Sequence, residues 1–96
     1  MKYDMQKIIS DIILKNNIDI TSIKKLIKSY NYNIDDIFYN LAFPTLWKGK
    51  YKSAYSDLRY LIDNIYQFFE EHSEYKNIDN VNFKKNILEI IYNFKK

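Results

Sequence analysis

The sequence predicts an all-α protein, a single compact bundle of four to five helices with one long central helix. The strongest observation is the run of apolar residues from 51 to 69, which are separated by steps of three and one. That spacing is the period of one face of a helix of about five turns. No segment shows the sustained alternation of apolar and polar residues that is typical of a half-buried strand. Glycine-rich hairpin signals are also missing, since the chain has one glycine and one proline.

The first two predicted helices are short and amphipathic. The first runs from about Asp4, a suitable N-cap, to Asn16, after which a second asparagine gives a natural exit. Its apolar face consists of Met5, Ile8, Ile9, Ile12 and Ile13. The second helix begins near Thr21, and either Thr21 or Ser22 is expected to cap it.

The third helix is predicted from about Ile34 to Ala42. Asn33 is expected to cap it, because a short polar side chain can accept a hydrogen bond from the first turn. Pro44 ends it, since the residue before a proline is driven out of the α conformation. Residues 44–50 then form a loop that holds the only proline and the only glycine.

The long helix is predicted over about residues 51–71, and one more helix closes the chain. Asp79 or Asn80 is expected to cap the last helix. The residues predicted at the centre of the core are Leu58, Leu61, Ile62 and Ile65. The apolar face of the last helix is Phe83, Ile87, Ile90, Ile91 and Phe94. Residues 1–96 are therefore expected to form a single helical-bundle domain.

Residue composition excludes several kinds of chemistry. The chain has no cysteine, so disulfides, thiolate zinc sites and thiol catalysis are excluded. The one histidine, His72, follows two glutamates at a predicted helix end, and the helix dipole explains it without a catalytic role. The adjacent carboxylate pairs 35/36 and 70/71 diverge by about 100° on a helix, unlike metal ligands at i, i+3. We therefore expect no enzyme activity, no metal and no cofactor.

A cytoplasmic location is expected from the apolar patterning. No apolar run approaches the roughly 18 residues that a membrane span needs. The N-terminal segment carries Asp11 inside its apolar stretch, which is unlike the uninterrupted core of a signal peptide.

Charge is separated along the chain, although the formal net charge is only +3. Residues 63–79 contain a single lysine and five acidic residues, namely Asp63, Glu70, Glu71, Glu74 and Asp79. Such an acidic segment can dock on a basic surface, for example the substrate cleft of a nuclease. The simpler interpretation is a solvated helix end and loop.

The segment 44–59 is basic and allows a second hypothesis. Trp47 is interleaved there with Lys48, Lys50 and Lys52, an arrangement that can stack on bases and hold phosphates. A small nucleic-acid-binding regulator is therefore an alternative. Two other interpretations stay open. The segment can be a loop that binds a protein partner through its aromatic side chains. Alternatively, Trp47 covers one end of the core while the lysines lie in solvent.

Two segments resemble the colicin D-type immunity family. They are IISDIILKNNIDITSIKKLI, at residues 8–27, and LIDNIYQFFEEHSEYKNIDNVNFKKNILEIIYNFKK, at residues 61–96. The matching features are a short lead from Ile18 to Ile23 into the second helix, a helix running into an acidic loop, and a closing helix. In this chain the pattern of the family's closing helix would correspond to Phe83, Lys84, Ile87, Ile90, Ile91 and Phe94.

The resemblance implies a small cytosolic immunity protein that binds the tRNA-cleaving domain of a toxin in a 1:1 complex. Such a protein blocks the basic active cleft with acidic residues, here Glu70, Glu71 and Glu74 with Asp63 and an outer Asp79. Tyr66 or Tyr75 would supply a packed aromatic anchor beside them. The chain departs from the family pattern in its positive net charge. Immunity to a pore-forming bacteriocin, whose protectors are also small helical bundles, is a further alternative.

Overall fold

Five α-helices and no strand make up the part of the chain that the computed structural model describes, residues 4–72 and 80–95. The helices are α1 (Met5–Lys15), α2 (Ile20–Ser29), α3 (Ile34–Leu41), α4 (Lys52–Glu71) and α5 (Asn80–Asn93). The Cα radius of gyration is 12.9 Å, which matches the roughly 13 Å of a compact domain of 100 residues. The all-α bundle with a long central helix is therefore confirmed.

Side-chain caps fix the beginnings of α1 and α3 where the sequence predicts them. The Asp4 carboxylate accepts a hydrogen bond from the Lys7 backbone N–H at 3.2 Å. The Asn33 side-chain oxygen accepts one from the Asp36 N–H at 3.1 Å. Each cap satisfies an N–H group that has no partner within its own helix.

The predicted cap of α2 is wrong, because the helix begins at Ile20 and its N-cap is Asp19. The Asp19 carboxylate accepts hydrogen bonds from both the backbone N–H of Ser22, at 3.3 Å, and its hydroxyl, at 2.7 Å. The expected caps, Thr21 and Ser22, lie within the first turn instead. Because α2 begins earlier than predicted, Ile20 belongs to the helix. Its side chain is buried in the core and is only 2% exposed.

The exit of α1 is a Schellman motif, in which the residue just beyond the helix cap adopts a left-handed conformation. Asn17 has φ of 51° there. The N–H of Asn17 bonds the carbonyl of Leu14 at 3.4 Å, and the N–H of Ile18 bonds that of Ile13 at 3.1 Å. Ile13 and Ile18 are both buried, which is the apolar contact that usually accompanies this motif.

The exit of α2 repeats the motif with a second asparagine. Asn31 has φ of 51°, and the Tyr32 N–H bonds the Ile27 carbonyl at 3.2 Å. Tyr32 is itself left-handed, with φ of 61°, which is unusual for a bulky side chain. Its hydroxyl lies 2.9 Å from that of Tyr92, so the turn is tied to α5.

The predicted loop 44–50 contains short 3₁₀ turns at Pro44–Leu46 and Gly49–Tyr51. Gly49 has φ of 72°, a conformation that side chains with a Cβ rarely adopt. α4 follows directly, and its N-cap, Tyr51, makes no side-chain capping hydrogen bond.

The core lies where α4 crosses α1 and α2, and α5 closes it against α1, α2 and α3. Leu58, Leu61 and Ile65 are fully buried, and Ile62 is buried, as predicted. The buried residues of the whole core are Ile9, Ile13, Ile18, Ile20, Ile23, Leu26, Ile27, Ile37, Leu41, Ala54, Tyr55, Leu58, Leu61, Ile62, Ile65, Phe69, Phe83, Ile87, Leu88 and Ile91.

The buried face of α5 differs slightly from the prediction. Leu88 is buried although it was not expected to be, whereas Ile90 and Phe94 are only partly buried. The shift arises because α5 contacts three helices, so a wider face than one narrow stripe is covered.

Across the described residues, no helix combines the length and the apolar character needed to cross a membrane.

Candidate functional site

Four of the residues expected to bind a partner lie on α4, where they fall on two different faces. Asp63, Tyr66 and Glu70 are spaced i, i+3 and i+7, so they follow one strip of the helix. Glu71 lies about 100° around the helix from Glu70. The other three expected residues, Glu74, Tyr75 and Asp79, lie outside the described residues.

Asp63 takes part in a local connection between α4 and the end of α3. Its carboxylate accepts a hydrogen bond from Arg59 Nε at 3.2 Å. Arg59 Nη1 also donates to the backbone carbonyl of Leu41 at 2.7 Å. The Arg59 and Asp63 side chains are 41% and 60% exposed, so solvent screens the pair to about 0–1 kcal/mol. Asp63 therefore has a modest structural role beside any role in binding.

Tyr66 is partly buried, and its ring packs against α5. The ring centroid lies 5.3 Å from that of Phe83, which also meets Phe69 edge-on at 5.4 Å. Tyr66 and Asp63 line one side of a shallow groove of about 210 Å³ between α3 and α4. Phe38 lies across this groove, with the Nζ of Lys84 at 5.0 Å from its ring centroid.

Glu70 and Glu71 are both exposed in the last turn of α4. Glu71 accepts a hydrogen bond from Gln67 Nε2 at 3.1 Å. It lines a cleft of about 370 Å³ between α1 and α4 together with Asp11 and Lys15. The cleft therefore has charged groups of both signs at its edge, whereas Glu70 lies on the strip with Asp63.

His72 has a capping role at the end of α4. Its Nδ1 donates to the Phe68 carbonyl at 2.7 Å, and its ring stacks on the Phe68 ring at 4.1 Å. This contact satisfies one of the carbonyls that a helix end leaves without an intrahelical partner.

The charges at the ends of α4 oppose the helix dipole. Lysines lie in the last turns of α1 and α2, and Asp35 and Asp36 lie in the first turn of α3, all favourable placements. α4 instead begins with Lys52 and no acidic residue in its first turn. It ends with Glu70 and Glu71 and no basic residue in its last turn. Folding alone does not favour this arrangement.

Trp47 closes the core instead of projecting from the basic segment. Its Nε1 donates to the Asn40 carbonyl at 2.7 Å. Its ring is stacked on Tyr55, with centroids 5.7 Å apart and planes 9° from parallel. Lys48 and Lys50, by contrast, are exposed. One face of the Trp47 ring is thus already occupied.

Tyr55 also connects α4 with the end of α2 through a hydroxyl–hydroxyl hydrogen bond with Tyr30. Burial, followed by this hydrogen bond, raises the pKa of Tyr55 above the ordinary 10.0. The hydrogen bond with Tyr32, followed by desolvation, likewise raises the pKa of Tyr92. Both tyrosines act as neutral hydrogen-bonding groups at physiological pH.

Some exposed and cleft-forming residues give no clear signal in the sequence. Tyr39, Phe43 and Leu46 are exposed around the end of α3. Tyr32 and Tyr92 line an apolar cleft of about 200 Å³ between α2 and α5. Helical periodicity separates inward from outward positions within one helix, but it does not show which helices meet. Among the described residues, no group of three or more His, Cys, Asp or Glu side chains is placed to hold a metal ion.

The chain was compared with protein-family models, with curated proteins and with solved structures, and none of the three comparisons found a match.

Proposed function

We propose that this chain is an immunity protein that binds a cognate toxin domain in the cytoplasm and blocks its active cleft. The toxin domain is proposed to be a tRNA-cleaving nuclease, as the resemblance to the colicin D-type family implies. The observation that carries the proposal is the pair of exposed carboxylates, Glu70 and Glu71, at the C-terminal end of α4.

An acidic residue in the last turn of a helix costs about 0.3–1 kcal/mol of stability, because it faces the negative end of the dipole. A feature that folding disfavours is a reasonable candidate for a binding role. Glu70 and Glu71 are presented by a helix of 20 residues whose opposite face is buried. Their positions are therefore preorganised, which lowers the entropy lost on binding.

The mechanism follows from where the two carboxylates lie. Because they diverge around the helix, each would meet a different Lys or Arg in a nuclease cleft that normally holds successive phosphates. Charges that remain at the rim of the complex mainly increase the association rate, and salt weakens this effect. Loss of a carboxylate that becomes buried in the complex would cost about 2–5 kcal/mol, because its cationic partner is left unpaired.

The direct test uses the gene immediately upstream of this one. We expect it to encode a large toxin or contact-dependent inhibitor whose C-terminal domain cleaves tRNA. The purified domain should form a 1:1 complex with this protein and lose its nuclease activity. A toxin domain that cleaves tRNA equally well with the protein in excess would contradict the proposal.

The acidic surface is tested by reversing charge with Glu70→Lys, Glu71→Lys and Glu74→Lys together. We expect the association rate to fall at least tenfold while the helical circular-dichroism signal is retained. Glu89→Lys, at an exposed position of α5, is the matched control and should bind as the parent does. If the triple variant binds and protects like the parent, the carboxylates do not act as phosphate mimics.

A nucleic-acid-binding regulator is the second candidate, favoured by one feature of the surface. Lys25 and Lys50 line a cleft of about 280 Å³ beside the first turn of α4, together with the hydroxyl-bearing Ser22 and Ser53. A positive helix end with lysines and hydroxyl groups suits a phosphate. RNA binding that weakens steeply with salt would favour this function over the first. No binding of RNA or DNA at physiological ionic strength would exclude it.

A further inference from the structure

A cleft between α2, the start of α3 and α5 has an apolar floor about the size of one ring. Its volume is about 200 Å³, and Ile27, Ile34 and Leu88 line it. Ile27 and Leu88 are 2% and 4% exposed, so the floor of the cleft is part of the core. An apolar cavity of about 150 Å³ is large enough to take a benzene ring. We call this feature the α2–α5 cleft.

Two phenol groups form one edge of the α2–α5 cleft. Tyr32 and Tyr92 both line it, and their hydroxyl oxygens lie 2.9 Å apart. Their rings meet edge to face, with centroids 5.1 Å apart. In such a pair one hydroxyl donates to the other, and the accepting hydroxyl keeps its own hydrogen. That hydrogen has no acceptor within the described residues, so it is available to an anion that enters the cleft.

The backbone of Tyr32 is held in a conformation that bulky residues rarely adopt. Its φ is 61°, in the left-handed region. Burial does not offset the cost of this conformation, because Tyr32 is 51% exposed. Strained backbone of this kind is concentrated at ligand clamps and other functional positions. Its effect here is to hold the Tyr32 hydroxyl at the edge of the cleft.

The charged groups around the α2–α5 cleft are mostly positive. Lys85 and Glu89 line it, and although they are four residues apart on α5, the structure places no ion pair between these two described residues. The pKa of Tyr92 is raised, chiefly by its hydroxyl–hydroxyl hydrogen bond, while the ammonium groups of Lys28 and Lys24 act in the opposite direction. Both lysines therefore lie near the Tyr92 hydroxyl. Three ammonium groups and one carboxylate together favour an anion there.

We propose that the α2–α5 cleft binds a small aromatic monocarboxylate, a single ring that carries one anionic group. The ring would cover the apolar floor, where it meets Ile27, Ile34 and Leu88. Its carboxylate would accept the unused hydroxyl hydrogen of the Tyr32–Tyr92 pair and lie near the ammonium groups. A ring without a charge leaves the hydrogen-bond donor unused, and a carboxylate without a ring leaves the floor in contact with water. Recognition therefore requires both parts of the ligand.

This inference does not rest on the proposed function. Toxin binding is assigned to Glu70 and Glu71 at the end of α4, whereas no residue of α4 lines the cleft. The test needs neither the toxin nor tRNA, so failure of one proposal leaves the other standing.

The first test is a titration of the parent protein with benzoate, followed by amide-detected heteronuclear NMR at constant ionic strength. We expect saturating shifts at the amides of Tyr32, Leu88 and Tyr92. The dissociation constant should be in the millimolar range or below, since the ligand has only about nine non-hydrogen atoms. Benzyl alcohol keeps the ring without the charge, and acetate keeps the charge without a ring. Each should bind about tenfold more weakly than benzoate, or weaker still.

The second test neutralises the two charged residues of α5 that line the cleft. Lys85→Gln should weaken benzoate binding about threefold, because an attractive charge is lost, and Glu89→Gln should strengthen it by a similar factor, because a repulsive one is lost. Opposite effects at two exposed positions of one helix do not arise from a general loss of folding. Asn86→Gln, exposed on α5 and outside the cleft lining, is the matched control and should bind as the parent does.

The hydroxyl pair is tested by the variant with Tyr32→Phe and Tyr92→Phe, which removes both donors and leaves both rings. Benzoate should then bind about tenfold more weakly than it binds the parent. Tyr39→Phe, at an exposed position of α3 outside the cleft lining, is the control and should leave benzoate binding unchanged.

Two results overturn the inference. One is a parent protein whose amides at the cleft do not shift with benzoate, or for which benzyl alcohol or acetate binds as tightly as benzoate does. The other is a benzoate affinity that Lys85→Gln and Glu89→Gln change in the same direction, or that the double phenylalanine variant retains in full.

Discussion

At the scale of single residues, Asn17 and Asn31 determine where two helices stop. Both adopt positive φ, which most L-residues avoid because the side chain approaches the carbonyl oxygen. Asparagine tolerates this conformation, and glycine tolerates it best. In a chain with a single glycine, asparagine therefore ends the helices that glycine commonly ends.

Replacing either asparagine with alanine should lower the free energy of unfolding by about 1 kcal/mol, the cost of the left-handed conformation. Asn17→Gly and Asn31→Gly should leave stability nearly unchanged. Urea unfolding measures both effects. Asn86→Ala, at an exposed interior position of α5, is the control and should be neutral or slightly stabilising. Equal stability of the alanine and glycine variants would contradict the proposed role of the backbone conformation.

Stability should also depend on Tyr55 at alkaline pH. Because the folded protein raises the pKa of Tyr55 above 10.0, the unfolded chain loses that proton first as the pH increases. The stabilisation from Tyr55 is thus complete below about pH 10 and is lost progressively above it. Urea unfolding at several pH values should show a shallower alkaline decline for Tyr55→Phe than for the parent. An identical decline in both proteins would mean that Tyr55 does not contribute.

At the scale of elements, α4 stands apart from the other helices whose ends are described. α1, α2 and α3 each have a side-chain N-cap, whereas the N-cap of α4, Tyr51, makes no side-chain capping hydrogen bond. Its terminal charges are also reversed with respect to its dipole. α4 forms in spite of its ends because seven residues on one of its faces are buried. Tertiary packing contributes far more to the stability of a long helix than its terminal charges do.

Neutralising the terminal charges of α4 should therefore stabilise the protein. We expect Lys52→Gln and Glu70→Gln each to raise the free energy of unfolding by about 0.3–1 kcal/mol at low salt, and by less at high salt. Glu89→Gln, away from the ends of α5, should change it little. If Glu70→Gln instead lowers stability, this carboxylate makes a contact that supports the fold, and the conflict with the dipole no longer indicates a binding role.

At the scale of the whole molecule, one continuous core joins all five described helices. α4 contributes the largest share of it, and α5 covers the side that α1, α2 and α3 leave open. Aromatic pairs extend this core at its edges, with Trp47 on Tyr55 at one end and Tyr66 on Phe83 at another. The domain should therefore unfold as a single cooperative unit.

Leu61→Ala should lower the free energy of unfolding by about 2–5 kcal/mol, because Leu61 is fully buried at the centre of the core. Leu14→Ala, at an exposed position, should change it by less than about 0.5 kcal/mol. Circular dichroism at the helical band and fluorescence of the only tryptophan, Trp47, should give the same midpoint. Separate midpoints would show that the segment around Trp47 unfolds independently of the core.

The acidic segment and the basic segment were visible in the sequence, but only part of their geometry was. The divergence of Glu70 and Glu71 around α4 follows from helical periodicity, whereas the cleft beside α1 that Glu71 lines does not. Trp47 was a candidate contact residue, yet it packs inward on Tyr55, and Phe43 and Leu46 are exposed instead. Such differences arise because a loop has no periodicity from which its inward and outward positions can be inferred.

The sequence by itself determined the class of fold, a bundle of four to five helices, the positions of most helix ends and the centre of the core. These depend on interactions between residues within about four positions, such as helical spacing, asparagine at a helix exit and proline after one. Only the tertiary structure decided that Leu88 is buried, that Trp47 packs inward on Tyr55 and that Tyr39 and Phe43 stay exposed. These depend on which helices pack together and at what angle, and contacts between residues distant in the chain set that geometry.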